Sequence, residues 1–352
     1  MSEFDYANAR IRAMKSRLLD MVEFNILAES GNIDTFIALL SKTDYQKAVE
    51  YALTSSQGMA CIPNILRKNM QETVGKIQTF FEGRNLSFIH LILSRYDLEN
   101  IKAILRNLSK PNPSGIIQDT LMPVGSISEN VLNKISHSQN LREAIDMMAT
   151  FRLPIAYPLI ALRADQPGVE CVEMEKSLER WHYKKTHSIL KENKIPEYLG
   201  NILKIDADIH NLTTILRFVH NPDEKSRLEN GIEDYLVSPG TLDFQQLLSA
   251  FQQNNLEDFA KVFSQTIFSE ALSNAQKTYK NLESLSEFEK QLHQFRIQYA
   301  ARLMTKDPLG IGVPLGYLAL KDLEIKNLRR CALQIHLGYA PAEIIASIED
   351  YR

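Results

Sequence analysis

The 352-residue sequence has few features of an exported or membrane-spanning protein. Its three cysteines, Cys61, Cys171 and Cys331, form no Cys-x-x-Cys pair, which argues against a disulfide framework or a thiolate zinc site and fits a reducing compartment. The most apolar stretch, 153–162, contains two prolines and is far shorter than the roughly 20 residues that cross a bilayer. The opening residues carry acids and arginines where a secretory signal needs an apolar core. We therefore expect that any membrane attachment runs through partner proteins.

The sequence also lacks a strong excess of either acidic or basic residues. The formal net charge is -3, so no broad electrostatic attraction draws the chain to nucleic acid, and we expect no nucleic-acid partner. Hydrophobic residues make up 44% and charged residues 24% of the sequence. These fractions are typical of a globular protein with a sizeable core.

Motifs that carry catalysis or cofactor binding are missing as well. His182 and His187 lie five residues apart, whereas two helical metal ligands need a spacing of four. The glycines at 310, 312 and 316 are not followed by Gly-Lys-Ser/Thr, so they lack the pattern of a phosphate loop. We predict no catalytic residue, no metal and no cofactor.

Helical periodicity is present along nearly the whole chain. Apolar residues recur every three or four positions in most segments, and strand-like alternation is nearly absent. Among the predicted helices are Asp5–Glu29, Ile33–Ser41, Leu256–Leu272 and Leu315–Leu337, with the glycine- and proline-rich stretch 307–316 as a connection between helices. Asn32 is expected to cap one helix, with Gly31 ending the helix before it. The fold class predicted is all-α.

An internal repeat is the most informative signal. An acid, then Asn three residues later, then a branched aliphatic residue occurs three times, with Asn100, Asn211 and Asn327 lying 111 and 116 residues apart. A second pattern, beginning at Ile33, Leu141 and Leu256, recurs at spacings of 108 and 115. Because both patterns keep their order, we predict three helical repeats, 1–118, 119–236 and 237–352, closed around a pseudo-threefold axis rather than stacked as a short-repeat solenoid.

The repeated acids are predicted to point inward. Asp97 lies on the apolar stripe of its helix, and the same three- and four-residue spacing from apolar neighbours places Asp208 and Glu324 on apolar faces. We interpret each acid and its Asn as a structural lock within its repeat, because a buried carboxylate requires a cation, a helix N-terminus or hydroxyls. Arg10, Arg12 and Arg17 are candidate partners. The alternative is an all-α enzyme that uses the three acids as metal ligands.

Several segments resemble one known family. The first is Tyr6-Ala-Asn-Ala-Arg-Ile-Arg-Ala-Met-Lys-Ser-Arg17, the second is Thr43-Asp-Tyr45, and the third is Gly316-Tyr-Leu318 followed by Glu324-Ile-Lys-Asn-Leu-Arg329. These resemble the C subunit of archaeal-type (A-type) and bacterial V-type ATPases, whose counterpart in eukaryotic V-ATPases is the d subunit. The resemblance extends from about Phe4 to Ile348, but in the third repeat Leu333 stands where the first two carry Arg106 and Arg217.

The resemblance implies a funnel of three helical bundles with no catalytic activity of its own. Such a protein sits on the cytoplasmic side of the membrane, on the ring of proteolipid subunits, and receives the D and F subunits of the central stalk. It would thereby couple ATP synthesis or hydrolysis to ion transport. Loops between repeats, at Pro123, Gly125, Pro239, Gly240, Gly310 and Gly312, are candidate contacts with ring or stalk. A helical adaptor without any link to an ATPase is the second interpretation.

Overall fold

The chain is described by a computed structural model that covers residues 3–111, 117–165, 168–192, 195–226, 228, 231–282 and 285–350. Helices account for the regular structure, and these ranges contain no strand, so the all-α prediction is confirmed. Within these ranges the α-helices are α1 Glu3–Lys15, α2 Met21–Ala28, α3 Ile33–Leu40, α4 Gln46–Leu53, α5 Cys61–Gln78, α6 Gly83–Leu108, α7 Glu129–Ser136, α8 Leu141–Thr150, α9 Ala156–Asp165, α10 Cys171–Glu192, α11 Glu197–His220, α12 Pro222–Ser226, α13 Phe244–Gln252, α14 Leu256–Val262, α15 Ser269–Leu282, α16 Ser286–Lys306, α17 Gly312–His336 and α18 Pro341–Ser347.

The helices group into two compact units. One comprises residues 1–157 and 303–352, and the other comprises residues 158–302. This grouping follows spatial contact, whereas the three predicted repeats follow sequence similarity. The three repeats and their arrangement about an axis therefore remain a prediction.

In the first unit, α17 is the central helix. It packs against α1, α5, α3, α2 and α18, and every residue from 312 to 321 is buried. Because other helices surround this segment, its residues from 312 to 320 carry no charge on any face, rather than being apolar along one stripe only. Helix α6 packs against α7 and α8 in the same unit.

In the second unit, α11 packs against α13 and α14. Its core is rich in phenylalanine, with Phe259, Phe263, Phe268 and Phe288 fully buried. Phe259 and Phe263 meet edge to face, with ring centroids 5.3 Å apart. Aromatic pairs of this geometry add to the stabilisation from apolar burial.

Two predicted helices are each divided in the structure. The predicted helix Asp5–Glu29 is α1 and α2, because Asp20 accepts hydrogen bonds from the backbone N–H of Val22 and Glu23 and so starts a new helix. The predicted helix Leu256–Leu272 is α14 and α15, with hydrogen-bonded turns between them. The periodic apolar pattern continues across each short turn, so a prediction from that pattern alone merges the two helices into one.

The stretch 307–316, predicted as a connection, is partly helical. Helix α17 begins at Gly312, so Pro314 lies in its first turn, where the missing N–H of proline costs nothing. The expected helix boundary at Gly31 and Asn32 is confirmed. Gly31 has φ of 72°, and the Asn32 side chain accepts a hydrogen bond from the Thr35 N–H at 2.9 Å.

No helix among the described ranges combines the length and apolar character that a bilayer crossing requires.

Candidate functional site

The first acid and asparagine, hereafter motif 1 (Asp97 and Asn100), bind the loop that leads to α7. Asp97 is buried in α6 and accepts hydrogen bonds from the Ser126 N–H at 2.8 Å, the Ser126 hydroxyl at 2.7 Å and the Ile127 N–H at 3.1 Å. Asn100 donates to the Met122 carbonyl at 2.9 Å and accepts from the Met122 N–H at 2.8 Å. One turn of helix thus holds both halves of the loop.

Motif 2 (Asp208 and Asn211) repeats this arrangement on α11. Asp208 accepts from the Thr241 N–H at 2.7 Å, from the Thr241 hydroxyl, and from the Leu242 N–H at 3.2 Å. Asn211 donates to the Val237 carbonyl and accepts from the Val237 N–H, both at 2.8 Å. Because every donor and acceptor corresponds to one in motif 1, the sequence repeat is also a repeat of local hydrogen bonding.

A glycine brings each of these loops close to its carboxylate. A Cβ atom on Gly125 would lie 2.2 Å from Asp97 Oδ1, and one on Gly240 would lie 1.8 Å from Asp208 Oδ1. Such distances are far below van der Waals contact, so glycine is required at both positions by close approach rather than by backbone angle. For this reason the same local pattern, Leu-x-x-x-Gly-Ser/Thr-Ile/Leu, occurs at 121–127 and at 236–242.

Motif 3 (Glu324 and Asn327) is completed by residues near both ends of the sequence. Glu324 accepts from the Leu19 N–H at 2.6 Å and from the Tyr45 hydroxyl at 2.6 Å. Asn327 donates to the Glu349 carbonyl at 2.8 Å and accepts from the Glu349 N–H at 3.1 Å. The loop that is continuous in motifs 1 and 2 is therefore supplied in motif 3 by two separate segments.

Motif 3 also contains a buried cation. The Lys321 ammonium pairs with Glu324 and donates to the Tyr45 hydroxyl at 3.0 Å; it also lies 4.3 Å from the centre of the Tyr45 ring. Here the lysine and the tyrosine replace the Ser or Thr hydroxyl and one of the two amides of the other motifs. A buried carboxylate with fewer amide donors needs such a partner.

The helices after each motif repeat as well. Asp20, Ser128 and Asp243 precede α2, α7 and α13, and the asparagines that cap α3, α8 and α14 follow twelve residues later, at Asn32, Asn140 and Asn255. This spacing was present in the sequence and identifies α2 as the helix that follows motif 3. Sequence reasoning did not make this connection, because Asp20 lies three hundred residues before Glu324.

Burial changes the acidity of two groups in the motifs. Desolvation raises the pKa of the Asp208 carboxyl above its usual value, and the hydrogen bonds from Thr241 and Leu242 oppose that rise. Desolvation and then the nearby charge of Glu324 raise the pKa of Tyr45 well above its usual value. Tyr45 therefore stays a protonated hydrogen-bond donor at neutral pH.

The expected pairing of the acids with Arg10, Arg12 and Arg17 is wrong. Arg12 donates to the carbonyls of Met304 and Pro308, Arg17 pairs with Asp44 at 3.6 Å, and Arg10 lies over the ring of Phe80. Loop amides and hydroxyls, with Lys321 in motif 3, already fill the coordination of the three acids.

The four glycines among the six candidate loop residues have internal structural roles. Pro123 and Gly312 are buried, whereas Gly125, Pro239, Gly240 and Gly310 are partly exposed. The Gly312 N–H donates to Asp307 at 2.8 Å, and the Gly310 carbonyl accepts from Asn8 at 3.0 Å. A Cβ on Gly310 would lie 2.4 Å from Asp307 Oδ1 and one on Gly312 would lie 2.5 Å from the Leu303 carbonyl oxygen, so close approach requires glycine at both positions. Contact of these loops with other subunits remains a prediction.

Metal binding gains no support from the described part of the chain, which contains no group of three or more His, Cys, Asp and Glu side chains able to hold an ion. The Asp97 carboxylate oxygens accept hydrogen bonds from Ser126 and Ile127. The arrangement therefore suits fastening a loop to a helix, not coordinating an ion.

Comparison with known proteins identifies the family. The family model described as "ATP synthase (C/AC39) subunit" matches residues 7–346. The chain is 24% identical over 332 residues, 94% of its length and 82% of the relative, to the C subunit of the A-type ATP synthase of Methanocaldococcus jannaschii. It is 26% identical over 344 residues, 97% and 89% respectively, to the protein of the same name from Thermococcus kodakarensis. The C subunit of the V-type ATP synthase of Deinococcus radiodurans is 24% identical over 204 residues, 58% of either chain.

The chain therefore belongs to the ATP synthase C/AC39 family, and the resemblance found in its sequence is confirmed.

Proposed function

We propose that this chain is a non-catalytic rotor subunit of an A/V-type rotary ATPase. It would sit on the cytoplasmic face of the membrane, on the proteolipid ring, and hold the D and F subunits of the central stalk. Membership of the C/AC39 family supports the assignment to this complex. The observation that carries the proposal is the set of three matched motifs, each fastening a loop to a buried position on a long helix.

Torque transmission explains what the motifs would do. A coupling collar that yields under load loses transmitted energy as strain, so its helices must keep their crossings. Each motif supplies up to three hydrogen bonds to a buried carboxylate and two to an Asn, and bonds to a charged group are stronger than neutral ones. Such buried networks hold one arrangement of the backbone.

The closure of motif 3 fits a collar formed from one chain. The N-terminal segment at Leu19 and the C-terminal segment at Glu349 meet on α17. If the repeats 1–118, 119–236 and 237–352 surround an axis, this junction joins the last repeat to the first. The loops that contain Pro123, Gly125, Pro239, Gly240, Gly310 and Gly312 would then contact the ring or the stalk through their exposed residues, since Pro123 and Gly312 themselves are buried.

Affinity purification tests the proposal. The tagged chain is isolated from membranes in mild detergent, and the proteins bound to it are identified by mass spectrometry. Proteolipid and stalk subunits should co-purify in fixed ratio, while a tagged chain carrying Gly240→Ala, which disrupts motif 2, should recover less of both. Recovery of neither kind of protein with the unmodified chain would favour a helical adaptor outside the ATPase and reject the proposal.

A further inference from the structure

The C-terminal end of α17 exposes large apolar side chains. Leu333 is 47%, Leu337 61% and Tyr339 49% exposed. Leu333 and Leu337 are four residues apart, so they lie on the same face of the helix. The opposite face is buried through Leu328, Ala332 and Ile335.

The other two motifs provide an internal comparison. Nine and thirteen residues after the acid, motif 1 is followed by Arg106 and Lys110, and motif 2 by Arg217 and Asn221. Arg106 and Lys110 are exposed, as is the side chain of Arg217. The fold thus accepts polar residues at both positions, and the leucine pair after motif 3 is not needed for packing.

Basic side chains border the leucine pair. No Asp or Glu occurs between Glu324 and Glu343. Arg329 and His336 are exposed on the same helix, four residues before Leu333 and three residues after it, on its side of the helix. Lys326, one turn before Arg329, is paired with Asp322 at 3.3 Å. A surface complementary to this face carries an apolar stripe bordered by carboxylates.

We propose that this face of α17, formed by Arg329, Leu333 and Leu337, is the docking site for one acidic amphipathic helix of a partner present once in the complex. The inference rests on the proposed function, because it takes the partner from the same assembly. A ring of identical subunits would contact the three repeats alike, whereas only one repeat carries the leucine pair. The two leucines, at i and i+4, form a narrow apolar stripe that fits one partner helix. A helix that lies in the membrane interface buries a wider apolar face, so a lipid surface is not the expected occupant.

A double variant that replaces both leucines with basic residues tests the docking. Leu333→Arg with Leu337→Lys gives this face the residues that follow motif 1. Both positions are exposed, so the unfolding midpoint should not change. Binding of the purified variant to complexes from a strain lacking the chain should weaken at least tenfold. Leu53→Arg, at another exposed leucine of the same unit, should leave binding within twofold. Equal binding by the double variant and the unmodified chain would overturn the proposal.

Photo-crosslinking identifies the occupant. A benzoylphenylalanine is placed at position 333, and in separate chains at 106 and 217, within the assembled complex. Position 333 alone should yield an adduct, to an acidic amphipathic helix of one protein. Adducts to lipid, to a second copy of this chain, or from all three positions alike would overturn the proposal, as would no adduct at all. If the chain co-purifies with the complex in these cases, the proposed function stands; if it does not, both fall.

Discussion

Replacing Gly240 with alanine should destabilise the second unit strongly. The new Cβ would be placed 1.8 Å from Asp208 Oδ1, and Asp208 is fully buried with donors on both oxygens. Relief requires the loop to move away, which breaks at least one hydrogen bond to a charged group. Such a bond contributes about 1.5–3 kcal/mol, and overpacking adds about 1–3 kcal/mol. We expect a loss of roughly 3–5 kcal/mol in the free energy of unfolding.

The matched control is Gly200→Ala on α11, the helix that carries Asp208. A Cβ at position 200 meets only the Leu190 side chain, at an ordinary 4.0 Å. Alanine favours the helix over glycine by about 0.5–1 kcal/mol, so this variant should be slightly more stable than the unmodified chain.

Trp181 makes the assay specific, because it is the sequence's single tryptophan and lies in the second unit. Its fluorescence during urea unfolding reports that unit for both variants. If the Gly240→Ala transition coincides with that of the unmodified chain, the loop can move without losing its bonds, and the role assigned to motif 2 is refuted.

Three further predictions follow from buried groups. The folded pKa of Asp208 lies above its unfolded value of 3.8. The stability that Asp208 contributes is therefore complete below pH 3.8 and is lost as pH rises through the folded pKa. Unfolding at several pH values should show the stability advantage of the unmodified chain over Asp208→Asn shrinking in that direction. Tyr45→Phe removes a hydroxyl bound to Glu324 and should cost about 1–3 kcal/mol in unfolding followed by circular dichroism, whereas the exposed Tyr51→Phe should cost nothing measurable. Burial raises the pKa of Cys331 to about 12, so a thiol reagent should label it only after unfolding.

Much of the local structure could be predicted from the sequence, because it depends on short-range chemistry. Asn32 was expected to cap a helix and does, and the repeated acids were expected to be buried and are. Each of these inferences needed only the spacing of neighbouring residues.

The partners of the acids could not be predicted, because they come from distant parts of the chain. Leu19 lies 305 residues from Glu324, and no periodic pattern encodes which backbone amide will face a carboxylate. Arginine was the expected partner because it carries the opposite charge. The structure uses backbone N–H groups and hydroxyls, with Lys321 as a cation at Glu324. A sequence does not distinguish one backbone N–H from the next.

The boundary between the first two helices was predicted wrongly, also because sequence periodicity does not show where the chain turns. The turn at 16–20 separates α1 from α2, yet apolar residues continue through it at helical spacing. The capping box formed by Asp20 and Glu23 was visible as an Asp followed three residues later by Glu, and it was the one local signal that could have divided the predicted helix.

Ion pumping by membrane vesicles tests the central claim, that the chain couples the stalk to the ring. Vesicles from a strain lacking the chain should still hydrolyse ATP in the soluble head but accumulate no ions, and adding the purified chain should restore uptake. Normal ATP-driven ion uptake in its absence would contradict the account.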